Sequence, residues 1–131
     1  MKSIVIDTSA LIAVVANEPE KRKLVSLTDN CLLIAPHSVY WEVGNAFSAM
    51  IKRERTTLQK VNSALRVFDT IPIRYVDVRL EDALELSQQH GIYAYDAYLL
   101  ATALRHSAPL LSLDRQMVHL GEMLGIHVLE V

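Results

Sequence analysis

Apolar residues along this chain fall into two alternating patterns. Short runs rich in branched side chains, Ser3-Ile4-Val5-Ile6, Leu32-Leu33-Ile34-Ala35, Ile73-Arg74-Tyr75-Val76-Asp77-Val78, Leu110-Leu111-Ser112-Leu113 and Ile126-His127-Val128-Leu129, are bounded by Asp, Pro or Gly. Runs of this kind fit strands buried on both faces of a parallel sheet. Between them, apolar residues at three- and four-residue spacing predict helices over Ala10 to Asn17, Glu20 to Thr28, Ser38 to Arg55, Thr57 to Thr70, Glu81 to His90, Tyr95 to His106 and Arg115 to Leu124. In the third helix Val39, Val43, Ala46, Phe47 and Met50 share one buried stripe. The alternation predicts an α/β fold: one domain over residues 1–131, with a five-stranded parallel sheet flanked by helices on both faces.

Composition supports a globular chain. Of 131 residues, 51% are hydrophobic and 21% charged, with four Gly and four Pro, which excludes a disordered or repetitive protein. A chain of this length buries roughly two-thirds of its unfolded surface, so its core needs neither a structural metal nor a disulfide. The single cysteine, Cys31, cannot form an internal bridge and reads as a small buried residue at a strand start in a reducing compartment. After Met1-Lys2 the apolar stretch stops at Asp7, too short for a signal peptide, and the longer apolar patches contain charge. The expectation is a soluble, cytoplasmic protein without membrane contact. The net charge of -2 means that any nucleic-acid contact comes from a local patch.

Most of the 15 acidic residues lie among polar neighbours, Glu18 and Glu20 included, but four do not. Asp7 ends Ile-Val-Ile, Glu42 sits in Val-Tyr-Trp-Glu-Val, Asp96 sits in Tyr-Ala-Tyr-Asp-Ala-Tyr-Leu-Leu, and Asp114 ends Leu-Leu-Ser-Leu. A carboxylate in an apolar setting must be paired, hydrogen-bonded or metal-bound. Asp7 and Asp114 each follow a strand and precede a helix, so each is also a candidate helix N-cap. In an open parallel sheet ligands collect at the carboxyl ends of strands, where Asp7 and Asp114 stand and where the Glu42 helix starts. Two helical segments share the crossover that carries Asp96, so direction alone leaves open which sheet end it reaches. If the four acids converge, hard cations relieve their repulsion. Oxygen-only ligation suits Mg2+ or Mn2+, and the five scattered His give no zinc spacing.

Taken together, Ile-Val-Ile-Asp7-Thr8-Ser9-Ala10-Leu11, Glu42-Val-Gly-Asn45, Tyr95-Asp96-Ala97-Tyr98-Leu-Leu-Ala-Thr-Ala and Leu-Leu-Ser112-Leu-Asp114-Arg115 resemble a PIN domain. More narrowly, they are similar to the VapC toxins of toxin–antitoxin pairs. The resemblance implies a metal-dependent endoribonuclease with strand order 3-2-1-4-5 and acids around one or two Mg2+ or Mn2+ ions. Asp7, Glu42, Asp96 and Asp114 fall on the family's acidic positions, and Thr8 or Ser9, together with Ser112, falls where hydroxyls line the site. Asp7, Asp96 and Asp114 are assigned to metal ligation, Glu42 to a second metal or to orienting water, and Asn45 and Ser112 to positioning. The resemblance also implies an antitoxin partner.

For an RNA substrate, Arg115 beside Asp114 is a candidate phosphate contact, with Lys52 and Arg53 at the end of the Glu42 helix and Lys21-Arg22-Lys23 elsewhere. Tyr93, Tyr95 and Tyr98 are candidates for stacking on splayed bases or for packing. Tyr40, Trp41, Phe47 and Met50, with Val61, Leu65 and Phe68, offer more apolar area than one small sheet face covers, which predicts a two-fold homodimer. Two other functions fit the acids less well: a Mg2+-dependent phosphatase using Asp7 as nucleophile, which lacks a second Asp two residues on, and a non-catalytic module binding RNA or a protein.

Overall fold

Four parallel strands, Ile73–Val76, Leu32–Pro36, Ser3–Ile6 and Leu110–Leu111 in that spatial order, form the sheet of the computed structural model, which describes residues 1–131. In chain order the elements are β1 (Ser3–Ile6), α1 (Thr8–Val15), α2 (Lys21–Thr28), β2 (Leu32–Pro36), α3 (Ser38–Lys52), α4 (Leu58–Phe68), β3 (Ile73–Val76), α5 (Leu80–His90), α6 (Ala94–His106), β4 (Leu110–Leu111) and α7 (Arg115–Met123). The seven predicted helices are all present, with ends shifted by at most a few residues.

Connection handedness sorts the helices. The steps β1 to β2 and β2 to β3 move across the sheet in one direction, and β3 to β4 returns in the other. Right-handed crossovers therefore put α1 to α4 on one face and α5 with α6 on the opposite face. The packing agrees: α1 touches α2, α3 and α4, whereas α5 packs on α6, and both groups reach β2. The direction reverses between β1 and β4, and a cleft opens at such a point.

The core is built as the patterns require. Ile4, Val5 and Ile6 are buried in β1, as are Leu33, Ile34 and Ala35 in β2. Val39, Val43 and Phe47 are buried on α3, and Val61, Ala64 and Phe68 on α4, each set at helical spacing. Part of the apolar surplus assigned to self-association is thus core: Phe47, Val61 and Phe68 are covered within the one chain. Cys31 is half-buried, directly before β2.

The fifth predicted strand does not form. Over Ile126–Leu129 the chain makes one isolated parallel bridge, Val128 to Leu110, through Leu110 N to His127 O (2.9 Å) and Leu129 N to Leu110 O (3.0 Å). The cause lies in β4, which ends after two residues. The amides of Leu113 and Asp114 donate to the hydroxyls of Ser9 and Ser112 instead of extending a ladder. The segment still lies beside β4, where the fifth strand was expected. Gly121 of α7 fits closely there, since a Cβ on it would stand 3.0 Å from Val128 Cγ2 and 3.2 Å from Leu110 Cδ2.

Candidate active site

The switch point between β1 and β4 is stitched by side chains. Asp7 follows β1 and is only 9% exposed. Its carbonyl accepts from Ala10 N and Leu11 N at the start of α1, yet its carboxylate makes no capping bond. Instead, Asp7 Oδ2 accepts from Ser112 Oγ at 2.6 Å and from Ser9 Oγ at 3.1 Å. Each hydroxyl has its own acceptor side occupied by a backbone amide: Leu113 N donates to Ser9 Oγ at 2.9 Å, and Asp114 N to Ser112 Oγ at 3.0 Å. Both hydroxyl protons are thereby directed at Asp7.

Asp114 behaves in the opposite way. It is the N-cap of α7, Oδ1 accepting from Gln116 N (2.9 Å) and Met117 N (3.2 Å), which leaves Oδ2 outside the cap. Capping and a place in the cleft are therefore compatible in one side chain. Glu42, in the second turn of α3, accepts from Thr8 Oγ1 at 2.9 Å. Asp96 stands in the first turn of α6.

All four acids line one cleft of about 790 Å3, together with Thr8, Ser9 and Asn45. The open question of which sheet end receives Asp96 is thus resolved in favour of the end that carries Asp7 and Asp114. Burial pushes the Asp7 carboxyl above its ordinary range; the Ser112 and Ser9 hydroxyls and the Thr8 amide oppose this, and the charge of Asp114 adds to it. Glu42 is raised by burial, opposed by the Thr8 hydroxyl, and raised further by Asp7 and Asp96. Asp96 is raised by burial and by the charges of Asp114 and Asp7.

No Lys, Arg or His is among the lining residues, so the chain supplies no cation to this field. The donor set is oxygen-only, and Ser38 Oγ, also on the lining, is buried with no hydrogen-bond partner in the protein. That chemistry suits a hard cation and its waters. No three His, Cys, Asp or Glu side chains converge as a ligand group. A bound ion would therefore take one or two carboxylates directly and keep water in its other positions, the habit of Mg2+.

Other candidates fall elsewhere. Arg115 opens α7 beside Asp114 but is exposed and not on the lining, and Lys52 and Arg53 lie about ten residues past Glu42, roughly 15 Å along the α3 axis. Ser112 touches the site through Asp7 rather than facing the cleft. Two further residues line the cleft: Glu18, set among polar neighbours in the sequence, and Trp41, 74% exposed on its wall. The usable signal for Trp41 was its place beside Glu42; nothing local marked Glu18.

No curated protein matches the sequence. Among solved structures, the fold is similar to PAE2754 from Pyrobaculum aerophilum, at 21% identity and a TM-score of 0.71, over 91% of this chain and 79% of that one. It is also similar to VapC20 of Mycobacterium tuberculosis, described as a sarcin-ricin loop cleaving toxin, at 17% identity and a TM-score of 0.66, over 90% and 95% of the two chains. VapBC2 from Rickettsia felis, solved bound to a DNA fragment from its promoter, gives 17% identity and a TM-score of 0.65, over 98% and 97%. At these identities the likeness is one of fold. The sequence profile of the PIN domain matches residues 4–123, a span that holds Asp7, Glu42, Asp96 and Asp114, and the chain belongs to the PIN domain family.

Proposed function

We propose that this chain is a Mg2+- or Mn2+-dependent endoribonuclease and the toxin of a toxin–antitoxin pair. The observation that carries the reading is the cleft itself: four carboxylates at the topological switch point, three of them raised by burial and by one another, with no cation from the chain. Kinship of fold with VapC20, an RNA-cleaving toxin, and with VapBC2, a toxin–antitoxin assembly, supports the choice of RNA and of an antitoxin partner.

A divalent ion, when bound, supplies an acidified water and charge stabilisation on the phosphoryl oxygens. Asp7, Asp96 and Asp114 would hold it, directly or through water. Asp7 is the fixed point, because Ser9 and Ser112 lock its carboxylate. Glu42 is held at Oε2 by Thr8, which leaves Oε1 to orient a water or take its proton. Asn45, one turn along α3, offers an amide at the rim. A phosphatase with Asp7 as nucleophile fits less well, since the position two residues on holds no second acid but Ser9, which donates to Asp7. We further propose that the protein is a cytoplasmic homodimer.

The test is cleavage of RNA by the purified chain with Mg2+ or Mn2+, against EDTA and against Asp96→Asn, with p-nitrophenyl phosphate as the competing substrate. Metal-dependent RNA cuts lost in Asp96→Asn are expected. Turnover of p-nitrophenyl phosphate with RNA left intact would overturn the reading.

A further inference from the structure

Two large aromatic side chains stand on the walls of the acidic cleft and are left open to solvent. Trp41 is 74% exposed and Tyr95 is 61% exposed, and both line the cleft. Each immediately precedes a cleft acid, Glu42 or Asp96. They come from α3 and α6, helices on opposite faces of the sheet, so they flank the acids from two sides. Each ring is braced edge-on by a second aromatic: Tyr40 meets Trp41 at 5.0 Å and 81°, and Tyr98 meets Tyr95 at 5.8 Å and 90°. Edge-on bracing fixes a ring without covering both its faces.

Exposed rings beside a charged floor do little for folding, but they suit a ligand that presents flat π-faces next to a phosphodiester. The lining offers such a ligand no cation, and the two rings are the exposed flat faces placed to hold a nucleotide on either side of the cut. Bases inside a duplex present only their edges, whereas unpaired bases can splay and stack on aromatic side chains. We propose that Trp41 and Tyr95 are base-stacking walls that restrict the cleft to unpaired RNA, a deepening that rests on the nuclease reading above. Tyr40 and Tyr98 act as positioning residues for the two rings.

Trp41 is the only tryptophan in the chain, so its emission reports the wall directly. The full-length wild-type protein, in Mg2+, is mixed by stopped flow with a short single-stranded RNA, the same sequence as a duplex, and an abasic strand of equal length, and emission is read before cleavage. Emission is expected to be quenched by the single strand and left unchanged by the duplex and the abasic strand. Under the same conditions, Trp41→Ala and Tyr95→Ala should each weaken binding of labelled single strand about tenfold, within the range of one base stack. Trp41→Phe and Tyr95→Phe should restore most of it. In the otherwise wild-type chain Trp41→Ala should raise KM and leave kcat near its starting value.

Equal quenching by duplex, or undiminished binding by both alanine variants, overturns the proposal. So does an emission change that follows protein concentration instead of RNA, which would assign Trp41 to contact with a second copy. If wild-type protein cuts RNA while Trp41 stays silent, stacking fails and the nuclease stands. Quenching by single strand without any metal-dependent cutting leaves the stacking walls and removes the nuclease.

Discussion

Ser112 donates a hydrogen bond to Asp7 at 2.6 Å across 105 residues of sequence, and the amide of Asp114 donates to that same Ser112 oxygen at 3.0 Å. Three residues from two strand ends thus share one network, in which the hydroxyl partly offsets the effect of burial on Asp7. Removing it should push the carboxyl further up and leave less of it ionised at a given pH. Hydrogen bonds to charged groups contribute about 1.5–3 kcal/mol, so Ser112→Ala should lower kcat/KM for RNA about tenfold at low pH and less as pH rises. Ser112→Thr keeps the hydroxyl and should stay near wild type. A pH–rate profile of the three proteins decides; parallel profiles would show that the bond does not act through ionisation.

Metal-free stability should fall as pH rises. Asp7, Glu42 and Asp96 all have folded pKa values above their unfolded ones, so between the two values the folded state binds more protons. In that window stability declines with increasing pH, starting near pH 4, where unfolded carboxyls ionise. Asp7→Asn can still accept from Ser9 and Ser112 but carries no charge. In EDTA its Tm should exceed that of wild type by an amount that grows from pH 4 towards neutrality. Thermal melts across that range check this, and a pH-independent gap would contradict it.

Added Mg2+ or Mn2+ should reverse that penalty. A ligand that binds only the folded state raises stability by RT ln(1 + [L]/Kd), so Tm should climb with metal concentration and return on adding EDTA. Asp96→Asn removes one carboxylate and should lose most of the shift while folding normally. Thermal shift against metal concentration reads this without any RNA present.

The fold was largely legible because buried strands and amphipathic helices leave strong periodic marks, as in Val39, Val43 and Phe47. The last strand misled because Ile126–Leu129 has the right composition but a partner only two residues long. Its lost pairing is set by Ser9 and Ser112, which no local pattern in residues 126–129 can register. The four acids stood out through their apolar neighbours. Glu18 did not, since its approach to the cleft depends on how the chain leaves α1. Asp114 shows why capping and site membership could not be separated by sequence: one oxygen caps and the other is left over.

The chain should associate as a dimer. Although Phe47, Val61 and Phe68 are internal, Tyr40 and Leu58 on α3 and α4, and Leu80, Leu84 and Leu104 on α5 and α6, remain exposed. Exposed apolar groups gathered on one helical layer favour a closed two-fold contact through that layer. Light scattering at micromolar concentration should give twice the 14.7 kDa chain mass. A strictly monomeric mass would reject the expectation.

An antitoxin should silence the chain by delivering an arginine into the cleft. Without metal, Asp7, Glu42, Asp96 and Asp114 repel a polyanion but attract a guanidinium, which can bind carboxylate oxygens in pairs. One such side chain would neutralise the acids, displace the cation and block RNA together. Close interfacial charge pairs contribute a few kcal/mol in favourable cases, set against the cost of desolvating both partners, so the arginine needs apolar anchoring nearby. The exposed Trp41 and Tyr95 on the cleft walls offer such a surface. Expression of the chain alone should arrest growth, co-expression of the small gene beside it should restore growth, and Asp96→Ala should abolish the arrest. Replacing the partner's inserted arginine by alanine should weaken inhibition more at low metal concentration than at high, because the metal competes for the same oxygens. Inhibition independent of metal would place the partner outside the cleft, and a chain that cuts RNA in vitro yet is harmless at high expression would be a housekeeping nuclease instead of a toxin.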